Sequence, residues 1–485
     1  MYPMQHLEAP VEYEYDGVTS GYMLKRKKMR SMADRQRNDL TQGPVTRKLL
    51  GFFFPIWIGL LFQQLYNTAD AFIVGKFVGD SALAAVGGSA SSIINLVIGF
   101  FTGLNSGATV LISQKYGAKD YPALRRVLNT AVVFSIGVGL VITAAGDLAA
   151  PAFLRFLQNP EDIMDDSVMY LRIYLTGAVL LLLYNLFQGT MQATGDSKRP
   201  LMYLVCSCGI NIVLDLLFVA VFKWGIAGAG WASVISMGVC TVLAAVHLIR
   251  TDEHCRLVLK DLKINTTDLK NIMRIGLPAG IQGSMYSISN MIIQSTVNTF
   301  GTGLVTSWTA TGKLDGFYWS TSSAVGTSLC AFVGQCYGAG KLDRMREAIR
   351  TCIRLFTIAT IVMSAGLLAI ARPAYSLFLN EPQVIDDAIR IMWMFVPFYF
   401  IWSFIEVLTG TFRGVGDTLR PMIITMIGTC VFRVIWMLFV VPAWHTVMSV
   451  SIVYGISWVL TAGAFIIYYL KGKWLKQNSI TDIQE

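Results

Sequence analysis

A twelve-residue stretch of this chain recurs 221 positions later with six of its residues unchanged. The run Gly189-Thr190-Met191-Gln192-Ala193-Thr194-Gly195-Asp196-Ser197-Lys198-Arg199-Pro200 returns as Gly410-Thr411-Phe412-Arg413-Gly414-Val415-Gly416-Asp417-Thr418-Leu419-Arg420-Pro421, with Gly, Thr, Gly, Asp, Arg and Pro in register. At the same offset, Gln114-Lys115-Tyr116-Gly117-Ala118 returns as Gln335-Cys336-Tyr337-Gly338-Ala339. Two unrelated motifs sharing one offset imply a duplicated half.

The halves belong in lipid. Hydrophobic residues make up 54% of the 485 and charged residues 14%, where soluble domains carry about a quarter charged. Twelve apolar stretches approach the ~20 residues that a spanning helix needs: 49–74, 82–113, 127–150, 168–191, 201–222, 227–249, 272–299, 304–335, 351–371, 388–412, 421–442 and 446–470. Stretches two and eight are overlong, so tilt or protrusion is expected there. Six spans per half is an even number, so both halves enter the bilayer from one side. The repeat is therefore parallel, about an axis along the membrane normal, a layout used by secondary transporters. The expected fold is an all-α integral membrane protein with 12 transmembrane helices in two six-helix lobes. The sequence divides into a tail 1–44, a first lobe 45–250, a polar linker 251–271, a second lobe 272–470 and a tail 471–485.

The net charge of +9 suggests nucleic acid until its placement is considered. With the N-terminus inside, 31 of the 39 Lys and Arg fall on cytoplasmic segments and six (Lys76, Arg155, Arg172, Lys223, Arg372, Arg390) on the opposite side. That is a positive-inside pattern, and it predicts a multi-pass protein of the plasma or inner membrane with both termini cytoplasmic. The basic run Lys25-Arg26-Lys27-Lys28-Met29-Arg30 suits a solvated tail near anionic headgroups. No secretory signal follows it, and Met29 or Met32 serves equally well as a start. The cysteines are expected as buried thiols, with no metal spacing around Cys206-x-Cys208. No cofactor, nucleic acid or obligatory protein partner is implied; the bilayer itself is the expected surrounding. Gly99-x-x-x-Gly103-x-x-x-Gly107 permits close helix packing. Pro55 and Pro278 sit at nearly equivalent places in spans one and seven, where proline lets a helix bend.

Ionisable residues inside hydrocarbon are costly, so each is a functional candidate. Span one has Asp70, with Asn67 three residues earlier on the same face; span five has Asp215, with Asn211 four residues earlier. Asn185 and Gln188 in span four and Ser233 and Ser236 in span six complete an oxygen-rich set. Carboxylates withdrawn from water beside one another favour loading and releasing a proton, and two carboxylates with amide oxygens also suit a hard monovalent cation such as Na⁺. Helix glue is the plainer use for either residue alone. The second half has Lys313, Asp315, Glu406 and Arg433. Lys313 and Asp315, two apart, face different sides of a helix; pairing of Lys313 with Glu406 or Arg433 is left open.

Taken together and in order, these segments resemble the multidrug and toxic compound extrusion (MATE) transporters over residues 45–470. The resemblance rests on Pro55, Asn67-Thr68-Ala69-Asp70, Gln114-Lys115-Tyr116-Gly117-Ala118, Gly189 to Asp196, Asn211-Ile212-Val213-Leu214-Asp215 and the second-half copies. It implies a central cavity that alternates between faces and export of organic, often cationic, small molecules in exchange for H⁺ or Na⁺. It maps a first-lobe cation site onto Asp70, Asn211, Asp215 and Ser233. Some members instead use acids on spans seven and ten. Span seven here has none around Met285 to Asn298, and Glu406 is not a clear match, which favours first-lobe coupling. A lipid-linked oligosaccharide flippase of the same superfamily is the alternative. Lys313 and Arg433 keep it open, while the span count and the acidic first lobe count against it. No nucleophile–base set or phosphate loop supports an enzyme.

Overall fold

The computed structural model describes residues 39–157, 159–251, 255–376, 379 and 381–476. The tail up to residue 38, its basic run and alternative starts, and residues 477–485 lie outside them. The described residues from Leu40 onward form one compact unit. Its helices are α1 (Val45–Phe77), α2 (Ser81–Gly117), α3 (Tyr121–Phe156), α4 (Glu161–Thr176 plus Ala178–Ala193), α5 (Lys198–Val221) and α6 (Gly225–Arg250) in the first lobe. The second lobe has α7 (Thr266–Asn298), α8 (Thr302–Gly338), α9 (Leu342–Ser376), α10 (Pro382–Gly414), α11 (Leu419–Ala443) and α12 (Val447–Leu470).

Each expected span is a helix, and most run longer than their apolar stretch. Among the described residues, nine helices are long and apolar enough to cross a membrane, or ten with bent α4 taken as one span. The two left over, α7 and α8, are the more polar ones. At 37 residues each, α2 and α8 reach about 55 Å at 1.5 Å per residue, longer than a bilayer's hydrocarbon core of ~30 Å, which leaves both tilt and protrusion open to them. The linker is shorter than the predicted 251–271. Asn265 caps α7 by accepting from the Asp268 amide at 3.0 Å, so the helix starts at Thr266 with polar turns that an apolar window does not register.

Local chemistry explains the irregular elements. At Gly177 α4 bends by 48°, a break that frees carbonyls. Thr143 donates to the freed Leu175 carbonyl at 2.8 Å, while Thr241 and Asn105 tie down the second arm through the helix-internal carbonyls of Leu180 at 3.0 Å and Leu182 at 3.1 Å. Helices α5 and α11 each contain a widened π-helical turn, at Leu216–Val221 and Met426–Val431. Nothing in the apolar pattern announces these turns.

The lobes meet chiefly along glycine. Gly99, Gly103 and Gly107 of α2 face Gly283, Gly280 and Gly276 of α7. A Cβ built on Gly103 would stand 2.5 Å from the Ala279 carbonyl carbon, and one on Gly107 would strike the Ile272 carbonyl. The expected packing motif thus works between lobes. At the end of the molecule holding the repeated motifs, the duplication is mirrored in hydrogen bonds. Gln114 donates to the Gly414 carbonyl at 2.9 Å, and Gln335 donates to the Ala193 carbonyl at 2.8 Å; both pairs are related by the offset of 221. Gly117 packs on the Gln335 backbone and Gly338 on that of Gln114. The repeated turns use Gly195 at φ 88° and Gly416 at φ 89°, a left-handed conformation that glycine takes freely.

The segment leading into each lobe is tied to the other lobe. Arg344 on α9 donates to the carbonyls of Leu40, Gln42 and Gly43 at 2.7–3.0 Å, and Lys341 donates to Thr41 at 2.9 Å. Reciprocally, Asn129 on α3 donates to the Asp261 carbonyl, Thr130 accepts from the Asn265 amide (both 3.1 Å), and Arg126 pairs with Asp268 at 2.7 Å. This end of the interface is closed.

Candidate functional site

In the first lobe, α1 and α5 bring Asp70 and Asp215 together. The two carboxyl groups lie within side-chain hydrogen-bonding reach of each other, and Asp215 and Asn211, one turn apart on α5, are fully buried. Oδ1 of Asp70, both oxygens of Asp215 and both amide atoms of Asn211 have no hydrogen-bond partner among the described residues. No described Lys or Arg forms an ion pair with either acid. Buried oxygens left this way are costly, and the widened turn that follows Asp215 is an irregularity often found at functional sites. Ser233 on α6 is buried and accepts from the Tyr66 hydroxyl at 3.3 Å. Such a set can hold one or two small cations or protons.

Three tyrosines missing from the sequence reading complete the surroundings. Tyr66 precedes Asp70 by one turn, and Tyr170 and Tyr174 on α4 are four apart; all three stand within electrostatic reach of Asp70. The i, i+4 spacings 66/70 and 170/174 were the available signals. Conversely, Asn67 is exposed and makes no hydrogen bond among the described residues, so its shared helical face does not carry it into the pair. Asn185 and Gln188 are half-buried on the second arm of α4, and neither is hydrogen-bonded to Asp70 or Asp215. Ser236 donates to the Ser233 carbonyl at 3.0 Å, which is helix-internal.

The second lobe holds a different site. A cavity of about 470 Å³ opens between α7, α8, α10, α11 and α12, walled by Trp308, Trp319, Trp402 and Trp458 and containing Asp315 and Arg433. Lys313 is exposed and lines a separate shallow depression, as its two-residue offset from Asp315 requires. It forms no ion pair with Glu406 or Arg433 among the described residues. Glu406 does not line the cavity; it packs against Gly326 and lies within electrostatic reach of Arg413 on its own helix. Among the described residues no group of His, Cys, Asp or Glu could hold a metal ion by clustering of three, and Cys208 and Cys240 are buried.

Duplicated six-helix lobes, an acid pair inside one and a cavity inside the other define a multi-pass membrane transporter for small molecules. The MatE family profile matches the chain twice, at residues 55–217 and 278–439, once per lobe; the chain belongs to the MATE family. It is 28% identical to a probable multidrug resistance protein, YpnP, of Bacillus subtilis (strain 168) over 444 residues, 92% of this chain and 99% of the relative. A second Bacillus subtilis protein, the probable multidrug resistance protein YoeA, is 28% identical over 79% of this chain and 84% of its own length. Among solved structures, an outward-facing multidrug resistance MATE family transporter of the MOP superfamily superposes with a TM-score of 0.83, covering 90% of this chain and 98% of that one at 24% identity. That likeness establishes the fold.

Proposed function

We propose that the protein is an antiporter of the plasma or inner membrane that exports organic, cationic amphipathic compounds in exchange for H⁺ or Na⁺ by alternating access. The observation that carries this reading is the Asp70–Asp215 pair, which meets inside a lobe with no described cation to neutralise it. Charge inside hydrocarbon is tolerated where it works. Neutralisation by a coupling ion or by a cationic substrate is mutually exclusive at one pair, and that exclusion makes exchange obligatory. The names of the Bacillus subtilis relatives agree with export of drugs. Orientation follows from charge: the basic segments lie on the cytoplasmic side, with both termini there, so the end closed at the repeated motifs is the cytoplasmic one.

The oligosaccharide flippase reading loses ground, because Lys313 is outside the cavity and Arg433 is the one cation among its lining residues, alongside Asp315. Transport in proteoliposomes with imposed pH or Na⁺ gradients tests the proposal. Asp70→Asn and Asp215→Asn should each insert and fold yet lose gradient-driven export; full export by both variants rejects the site. A cysteine introduced by Lys260→Cys should resist labelling from outside intact cells, and labelling there would reverse the orientation.

A further inference from the structure

Taking the transporter reading above as given, we propose that the second-lobe cavity is a receiving site for flat aromatic compounds that carry an anionic and a cationic group together. Its two charged side chains are buried, with Arg433 4% and Asp315 7% exposed, yet they form no ion pair with each other. Arg433 is held in place without being saturated. Its Nε donates to Ser457 at 3.0 Å, and the guanidinium lies 4.0 Å from the Tyr454 ring centroid and 5.6 Å from that of Trp458. Its Nη2 has no hydrogen-bond partner among the described residues, and Oδ1 of Asp315 makes no hydrogen bond of ordinary geometry there either, although the Tyr399 hydroxyl on α10 stands within side-chain reach of that carboxyl. The widened turn of α11 ends two residues before Arg433, so the guanidinium is set by an irregular backbone and a stacked ring.

A buried donor and a buried acceptor left unpaired each cost free energy until a ligand answers them. A simple organic cation would satisfy Asp315 but meet the charge of Arg433. A simple anion would do the reverse. A compound with both groups answers both, and a guanidinium edge suits a carboxylate because two N–H groups can point at two oxygens.

The walls select the body of the ligand. Trp319 and Trp402 stand at 77° with centroids 5.1 Å apart, Trp402 and Trp458 are 5.7 Å apart, and Trp308 meets Phe395 edge-on at 5.4 Å. Trp402 is locked by its Nε1 donating to Ser322 at 3.0 Å. Rigid aromatic faces around about 470 Å³ favour a planar fused-ring body, which stacks on indole at low entropic cost.

The test uses one aminoxanthene dye in two forms, the free carboxylic acid and its methyl ester, binding to the full chain in lipid nanodiscs. The readouts are dye anisotropy and quenching of tryptophan fluorescence. Arg433→Gln should weaken binding of the acid by about tenfold, the loss expected for a charge-assisted pair, and leave the ester within about twofold. Arg433→Lys, which keeps charge without the fork, should fall between. Retained ester binding certifies that the variants are folded. Equal binding of the acid by wild type and Arg433→Gln overturns the proposal. Glycerophosphocholine, which has both charges and no ring, should fail to displace the dye; displacement would make the site a reader of lipid headgroups and overturn the aromatic part. Gradient-driven dye transport by the same preparations separates the two readings. Intact acid binding without gradient-driven transport defeats the antiport reading and leaves this one standing.

Discussion

The two lobes are near copies at one end and strangers in the middle. At the closed end, Gln114 and Gln335 exchange equivalent hydrogen bonds across the interface. Asp196–Arg199 and Asp417–Arg420 pair at 2.8 and 3.7 Å in equivalent turns. At the depth of the sites the correspondence is gone: at the offset of 221, Asp70 falls opposite Met291, Ser233 opposite Tyr454, and Arg433 opposite Ile212. Backbone closure therefore tolerates only the same solution twice, because glycine contacts and carbonyl caps must match on both sides of a pseudo-two-fold axis. Side chains facing into a lobe are under no such constraint. One lobe holds paired acids, and the other an arginine among tryptophans.

The largest expected effect tests that division of labour. Asp215→Asn or Asp70→Asn should bring gradient-driven transport close to background, whereas Arg433→Gln should leave ion coupling within about twofold for a simple cationic substrate, since a guanidinium, itself a cation without acceptor atoms, is no ligand for H⁺ or Na⁺. Loss of coupling in Arg433→Gln would merge the two sites into one. Next comes the seam. Gly107→Val drives a side chain into the Ile272 carbonyl and Gly276, and backbone cannot swing away as a flexible side chain can. Overpacking of this kind costs ~1–3 kcal/mol or more, so the variant should unfold well below wild type in a thermal melt. Gly209→Ala on α5 meets nothing within 4 Å and should melt with wild type. Equal melting of the two variants would mean that the lobes do not meet along α2 and α7.

How much of this was legible beforehand depended on whether the signal was local. Twelve helices and the repeat came through, and Asp70 and Asp215 stood out as candidates, because length, offset and charge are read along the chain. The glycine stripe was visible, but its partner stripe Gly276, Gly280 and Gly283 lies on a helix of the other lobe, and pairing between distant segments is not written in either one. The bend at Gly177 and the widened turns of α5 and α11 were hidden because apolar periodicity is blind to one extra residue per turn. Four tryptophans from α8, α10 and α12 converge on one cavity only after folding; singly, each reads as an ordinary apolar residue. Asn67 misled because sharing a helical face with Asp70 says nothing about which neighbour that face meets.

Smaller effects probe the symmetry of the closed end. Gln114→Ala removes one neutral side-chain bond to a buried carbonyl, worth about 1 kcal/mol and so roughly a fivefold shift in the opening equilibrium, and Gln335→Ala removes two, because its Oε1 also accepts from the Leu40 amide at 3.1 Å. Ile275 is buried at this seam, where its carbonyl accepts from Thr418 at 2.7 Å. Labelling of an Ile275→Cys reporter should quicken about fivefold in the Gln114→Ala background and further in the Gln335→Ala one. Equal acceleration would mean that the Leu40 bond does not help to hold this end closed.

The smallest effect concerns a place where the matching turns differ. In the second lobe the Tyr468 hydroxyl sits between the partners, accepting from Arg420 at 2.9 Å and donating to Asp417 at 2.5 Å. In the first lobe the equivalent residue is His247, whose Nε2 stands 3.4 Å from Arg199, while Arg199 reaches Asp196 directly at 2.8 Å. Histidine fills the space without closing the bridge. Installing the second-lobe solution by His247→Tyr should therefore add one hydrogen bond at a part-buried site, stabilising by no more than ~1 kcal/mol. Transport should be unchanged, since the turn lies at the helix ends and away from both charged sites. A small rise in melting temperature with wild-type transport fits a purely structural turn. A loss of transport with normal melting would mean that the imidazole takes part in the cycle, and that the lobes differ in function at this end as well as within.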